Sequence, residues 1–278
     1  MNTDPSTPFE GPPAIRLFQW LIQAPPLFAT PAGADQDAGV LLAQCLTEDP
    51  DWPHRAAAAG IPPLQGRLGH WFEALVAALL AHSQRLELLA RNVPLRRQGR
   101  TLGELDMVLF DHGSGRRLHW ELALKFFLGH DGQWPGPNPR DTLQSKAEHL
   151  FQRQLPRSLD VSAAEPPIAP VDHRQALTRG RLFYPTPPCP PPAQAAHGHQ
   201  RGFWCRAGHW NTPARPVPRA FWAIPELLSD NFTSPVAPTE LQDYVQRKQS
   251  VVMILTDNNA PGFLVPDTWP FNELRSPA

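Results

Sequence analysis

The chain has 278 residues, 41% hydrophobic content, nine Trp and a net charge of −1, so it can bury a sizeable core and its overall charge gives no reason for bulk attraction to nucleic acid. Its 35 Pro imply long irregular connections and short elements, and its three cysteines, Cys45, Cys189 and Cys205, form no CxxC pair and no even framework, which favours a reducing compartment. The N-terminal run shows no basic stretch followed by an apolar core, and no apolar run approaches the roughly eighteen residues that cross a bilayer. A soluble cytoplasmic protein without a membrane partner is therefore expected.

In chain order, residues 1–14 read as loosely draped, and short helices are expected over 14–22, around 39–46 and in the alanine-rich run of 52–63. None of this part carries chemistry, and residues 1–60 read as an N-terminal helical cap or extension. A long helix is expected over 66–90, with Leu68, Phe72, Leu75, Val76, Leu79, Leu86 and Leu88 or Leu89 on one stripe and Glu73 at its flank. Arg91, Arg96, Arg97 and Arg100 follow, a cluster suited either to phosphates or to solvent.

Residues 101–128 hold the most informative pattern. Leu105, Met107 and Leu109 alternate with Glu104, Asp106 and Val108. After a Gly-rich turn, Leu118, Trp120, Leu122, Leu124 and Phe126 alternate with His119, Glu121, Ala123, Lys125 and Phe127. A strand sends successive side chains to opposite faces, so this is a β-hairpin with one apolar face and one ionisable face. A two-residue turn on Gly113-Ser114 pairs residues whose numbers sum to 227, setting Met107 against Trp120 and Asp106 against Glu121. Centring the turn on Ser114-Gly115 shifts the pairing by two and keeps the faces. Opposed carboxylates repel unless a proton or cation lies between them, and a hard divalent ion such as magnesium fits. Lys125 lies further along the same face, one of only three lysines against 22 arginines. The plainer alternative is a solvated or salt-bridged strand face formed by Glu104, Asp106, Glu121 and Lys125.

A Gly/Pro loop is expected over 129–139, then a helix over 142–155 capped by Asp141, with Gln144, Lys146, Gln152 and Gln154 as polar candidates. A linker over 156–170 and a strand over 180–184 complete a core of 61–184. Residues 185–278 read as a Pro- and Trp-rich C-terminal extension packed on the core. It holds aromatic strands or turns at 202–205 and 219–224, a helix over 239–247 and a strand over 250–255. Cys189, His197, His199, Cys205 and His209 include both zinc-ligand types, but their spacings match no finger or ribbon pattern.

The strings HWELALKFFL with GELD upstream, GPN after it and RLFYP later resemble the bacterial family known as domain of unknown function 1853. The GELD run followed by a strand ending in lysine is also similar to the PD-(D/E)XK nuclease superfamily. That resemblance implies an α/β, restriction-endonuclease-like core, in which a central mixed sheet carries a β-hairpin site flanked by helices. It further implies magnesium as cofactor, nucleic acid as partner, and metal-assisted hydrolysis of phosphodiesters. Position by position it assigns Glu73 to the first-helix carboxylate, Asp106 to the metal-binding aspartate and Lys125 to the catalytic lysine. The second carboxylate would fall on Ala123, so Glu121, with Glu104 across the hairpin, is the candidate that completes the metal site. Arg100 and Lys146 are the candidates for substrate phosphates. The alternative within the same resemblance is a catalytically degenerate module that binds nucleic acid or a protein partner.

Overall fold

The hairpin lies towards one edge of an eight-stranded mixed sheet. The computed structural model describes residues 13–97, 100–163, 168–228 and 233–270; most of the N-terminal segment expected to be loosely draped lies outside them. Strand β2 (Arg100–Asp111) and strand β3 (Arg116–Leu128) pair antiparallel with Met107 facing Trp120, Leu109 facing Leu118 and Asp111 facing Arg116. This is the register expected from the alternation. The turn differs from the expected two-residue form. It spans His112 to Gly115, and positive φ falls on Gly115 (70°) rather than Gly113. The Asp111 carboxylate organises this loop by accepting from the Gly113 N–H (2.9 Å) and the Ser114 hydroxyl (2.7 Å), while Arg85 Nε donates to it at 2.8 Å.

The largest correction concerns the long helix expected over 66–90. Helix α4 (Leu68–Leu80) ends early, and strand β1 (Leu86–Arg97) runs antiparallel to β2. Leu86 and Leu88 reach the main core while Leu89 is 43% exposed, which is the two-residue period of a strand. At the break, the Ser83 hydroxyl accepts from the Leu86 N–H at 2.9 Å, giving the freed backbone a partner.

Three helices precede α4: α1 (Ala14–Gln23), α2 (Ala38–Glu48) and α3 (Trp52–Ala59). Their buried faces share one core with α4 and with the Met107, Trp120, Leu122 and Leu124 face of the hairpin. Asp37 caps α2 through the Gly39 N–H (2.8 Å), and the Trp52 indole donates to the last turn of α4 at Leu79 O (2.7 Å).

The other face of β3 is covered differently. Helix α5 (Leu143–Glu148) is capped by Thr142 rather than by Asp141, and continues as a π-helical turn (His149–Gln154) and a 3-10 segment (Leu155–Ala163) where a plain helix and a linker were expected. Leu143, Ala147 and Leu150 pack there against Phe127 and Leu182. Strand β4 (His173–Tyr184) is longer than the expected 180–184 and runs parallel to β3 from Leu118↔His173 to Leu128↔Phe183.

Beyond β4 the chain extends the same sheet. Strand β5 (Gln200–Arg206) is parallel to β4, and β6 (Arg215–Pro216), β7 (Val252–Leu255) and β8 (Pro261–Val265) complete the order β1-β2-β3-β4-β5-β8-β7-β6. Helix α6 (Pro238–Lys248) packs Leu241 and Val245 on Ile254 and Leu264. Of the strand or turn expected over 219–224 the chain forms the turn, a 3-10 segment at Arg219–Phe221, and β8 carried no expectation. The whole is α/β, a mixed sheet with helices on both faces. No helix among the described residues is long and apolar enough to cross a membrane. All three cysteines are free.

Candidate functional site

The ladder between β2 and β3 ends at Met107↔Trp120, while β3 keeps its pairing with β4 for its whole remaining length. One residue past the last pair, the Asp106 carboxylate takes the place of a β2 backbone acceptor and receives the Leu122 N–H at 2.8 Å. Glu121, on the same face of the hairpin, is fully buried, and the two acids lie within electrostatic reach of each other. Burial, followed by the charge of Glu121, pushes Asp106 up to about 6, and burial pushes Glu121 up to about 7.

Cations and dipoles surround this pair. The buried His119, two residues before Glu121 on the same face, places Nε2 2.8 Å from Glu121 Oε1; burial pulls its own pKa down to about 4. Gln154 donates its amide N–H to Glu121 Oε2 at 2.6 Å, and its amide oxygen accepts from Lys146 Nζ at 2.7 Å. Lys146 stands on α5 and Gln154 ends the π-helical turn, whose wider winding brings both to one side. The Lys146 ammonium acts favourably on both acids, while burial and the charge of Lys125 lower its own pKa. The charge of Arg157 also favours ionised Glu121, and its guanidinium packs on the bare Cα of Gly103.

The remaining candidates are arranged around this centre. Glu73, on α4 in the opposite layer, is half-buried and within electrostatic reach of Asp106; burial first and Asp106 second raise its pKa. Lys125 lies four residues along β3 from Glu121, about 13 Å at strand spacing, with its ammonium 2.5 Å from Asp141 Oδ2. Glu104 is exposed, and Arg100 stands at the tip of the β1–β2 ribbon, six residues or about 20 Å along β2 from Asp106. The structure therefore gathers Asp106, Glu121 and Lys146, keeps Glu73 at the margin, leaves Lys125 within electrostatic reach of Lys146 but engaged by Asp141, puts exposed Glu104 within electrostatic reach of Glu73, and sets Arg100 apart.

His119 and Arg157 carried no assigned role in the sequence, and Gln154 was only one of four polar candidates. The parity of the strand points to His119. No local pattern points to Arg157, which comes from beyond the π-helical turn. Among the described residues, no three or more His, Cys, Asp or Glu form a cluster able to hold a metal ion, the Cys189 to His209 run included. A two-carboxylate pair is nevertheless what magnesium uses when waters and phosphate oxygens complete its shell, and a pair with both pKa values raised is short of positive charge.

A family model described as domain of unknown function (DUF1853) matches residues 16–262. No curated protein and no solved structure matches the chain.

Proposed function

The chain belongs to the DUF1853 family, and from its site chemistry we propose that it is a metal-dependent hydrolase of nucleic-acid phosphodiesters with a restriction-endonuclease-like core. One observation carries the reading: a fully buried carboxylate, Glu121, beside a half-buried one, Asp106, both pushed up towards neutrality, with Lys146 tied to Glu121 through Gln154. Asp106 and Glu121 would hold magnesium, which when bound supplies Lewis-acid stabilisation of phosphate charge and a more acidic water.

The chain's own residues do the rest. Gln154 holds Lys146 Nζ by one end of its amide and Glu121 by the other, fixing the ammonium where phosphate charge would develop. The lowered pKa of Lys146 suits it to pass a proton at Nζ, whereas Lys125 is engaged by Asp141. His119 orients Glu121 through Oε1, and Glu73 bounds the site from the far layer. This assignment gives Lys146 the part that the sequence resemblance gave to Lys125.

A catalytically degenerate module that binds nucleic acid or a protein partner is favoured by a different observation: both oxygens of Glu121 are already hydrogen-bonded, by His119 and Gln154. Calorimetric titration with magnesium and manganese separates the two. Binding by the wild type that is lost in Asp106→Ala, together with magnesium-dependent cleavage of a labelled oligonucleotide, supports the hydrolase. An absence of binding heat in the wild type leaves only the degenerate module.

A further inference from the structure

A second feature lies at the end of the sheet towards which β3 runs. A cleft of about 1090 Å3 opens beside β7 and α6, bounded on one side by Pro137 and Asn138 of the loop that follows β3. Its volume is at the upper end of what small-molecule sites use, enough for more than one nucleoside. None of its described lining residues is acidic, while Arg219 and Lys248, both exposed, bring positive charge.

Trp222 forms a rigid platform in the wall. Its indole donates to Val217 O at 3.1 Å, and its ring meets Phe126 and Phe263 edge-on at centroid distances of 5.7 and 5.1 Å. The Arg219 guanidinium sits 5.8 Å from the indole centroid, and the half-buried Tyr244 of α6 adds a second ring to the lining. Aromatic faces beside cations, with no acids, complement stacked bases joined by phosphates.

The cleft is linked to the carboxylate side of β3 through the loop that follows the strand. Asn138 O accepts the Asp141 N–H at 3.1 Å, and Asp141 holds Lys125, which lies on the Glu121 face of β3. A strand with its phosphate at Asp106 and Glu121 would run past Lys125 and the Asn138 loop to reach the cleft.

We propose that this cleft binds the bases of a single-stranded nucleic-acid segment next to the phosphate at the carboxylate site, so that unpaired strands rather than continuous duplex are the substrate. The second clause rests on the hydrolase reading; the binding of bases does not. The test is fluorescence anisotropy of the full-length protein in EDTA with a labelled oligothymidylate, an abasic strand of equal length and a duplex. The wild type should bind the oligothymidylate at least about tenfold more tightly than the abasic strand, the preference expected of a stacked base. Trp222→Leu and Tyr244→Leu should erase that preference, and Arg219→Ala with Lys248→Glu should weaken both single strands. Because Trp222 also packs inward, the Tyr244 variant decides if the Trp222 variant does not fold. Equal affinity for abasic and base-bearing strands, or a preference untouched by Tyr244→Leu, overturns the proposal. Base-dependent binding without magnesium-dependent cleavage retains the cleft and removes the hydrolase. Cleavage without base-dependent binding does the reverse.

Discussion

Asp106 and Glu121 set a testable electrostatic condition on the fold. A carboxyl whose folded pKa is raised holds its proton more tightly when folded, so its stabilising contribution is complete below the unfolded value and is lost as pH rises through the folded one. For this pair the window runs from the ordinary values of 3.8 and 4.5 to about 6 and about 7. His119, lowered from 6.5 to about 4, works in the opposite sense, adding stability as pH rises between those values. The pair is therefore isolated by difference. Asp106→Asn keeps an acceptor for the Leu122 N–H and removes a charge, so in urea unfolding it should exceed the wild type by on the order of 2 kcal/mol at pH 8, with the gap closing towards pH 5. Magnesium should close the gap at pH 8 by stabilising the wild type alone. A wild type as stable as the variant at pH 8 without metal would show that the acids do not burden each other.

The lysines give a second prediction at this scale. Lys146→Ala should lower kcat for oligonucleotide cleavage by about 10²–10³, and Lys125→Ala by less than about tenfold, because Lys146 is tied to Glu121 through Gln154 whereas Lys125 is engaged by Asp141. The reverse order would return the catalytic part to Lys125. The alternation of β2 and β3 made the Asp106 and Glu121 pairing readable, since parity survives an error in the turn. Lys146 and Gln154 were harder to place, because their common side depends on a π-helical turn that no simple period encodes.

Among the elements, β3 and β4 leave no room for a side chain where Gly180 stands opposite Lys125. A Cβ on Gly180 would lie 1.8 Å from the Lys125 carbonyl oxygen, and its φ of 137° is one that L residues rarely adopt. Gly180→Ala should force the two strands apart between the carboxylate site and the cleft. The expected loss is more than about 3 kcal/mol in urea unfolding, or no soluble protein at all, since steric and backbone penalties act together. A variant of near-normal stability would show that this part of the sheet can yield. The expected strand over 180–184 captured only the end of β4, because its first half, HRQALTR, carries charges that read as surface. Arg179 is in fact fully buried. The helix expected over 66–90 failed for a related reason: leucines at 86, 88 and 89 satisfy a helical stripe and a strand face equally well, and only the pairing with β2 decides between them.

Across the whole molecule, the order of strands could not be read from the sequence. Strands β3, β4, β5 and β8 are parallel and joined by long connections, so local signals do not say which edge the chain returns to. Beyond the shared apolar core, one buried residue joins the N-terminal helices to that sheet through polar contacts. Arg179 of β4 donates from Nε to Leu21 O at 2.9 Å and from Nη2 to Ile22 O at 3.3 Å, holding the last carbonyls of α1, and lies 3.8 Å from Asp37 at the cap of α2. Burial lowers its pKa to about 10, still well above neutrality, so the side chain is a cation in the interior. Arg179→Met preserves much of the volume but leaves two helix-end carbonyls and a largely buried Asp37 without this partner. Loss of one member of a buried pair costs about 3–5 kcal/mol, and the double variant Arg179→Met with Asp37→Asn should recover part of it. Amide hydrogen exchange should show the loss first in α1 and α2, while β2 and β3 stay protected, because their pairing does not pass through Arg179. Uniform loss of protection would mean instead that the helices and the sheet unfold as one unit, with Arg179 contributing to that unit as a whole.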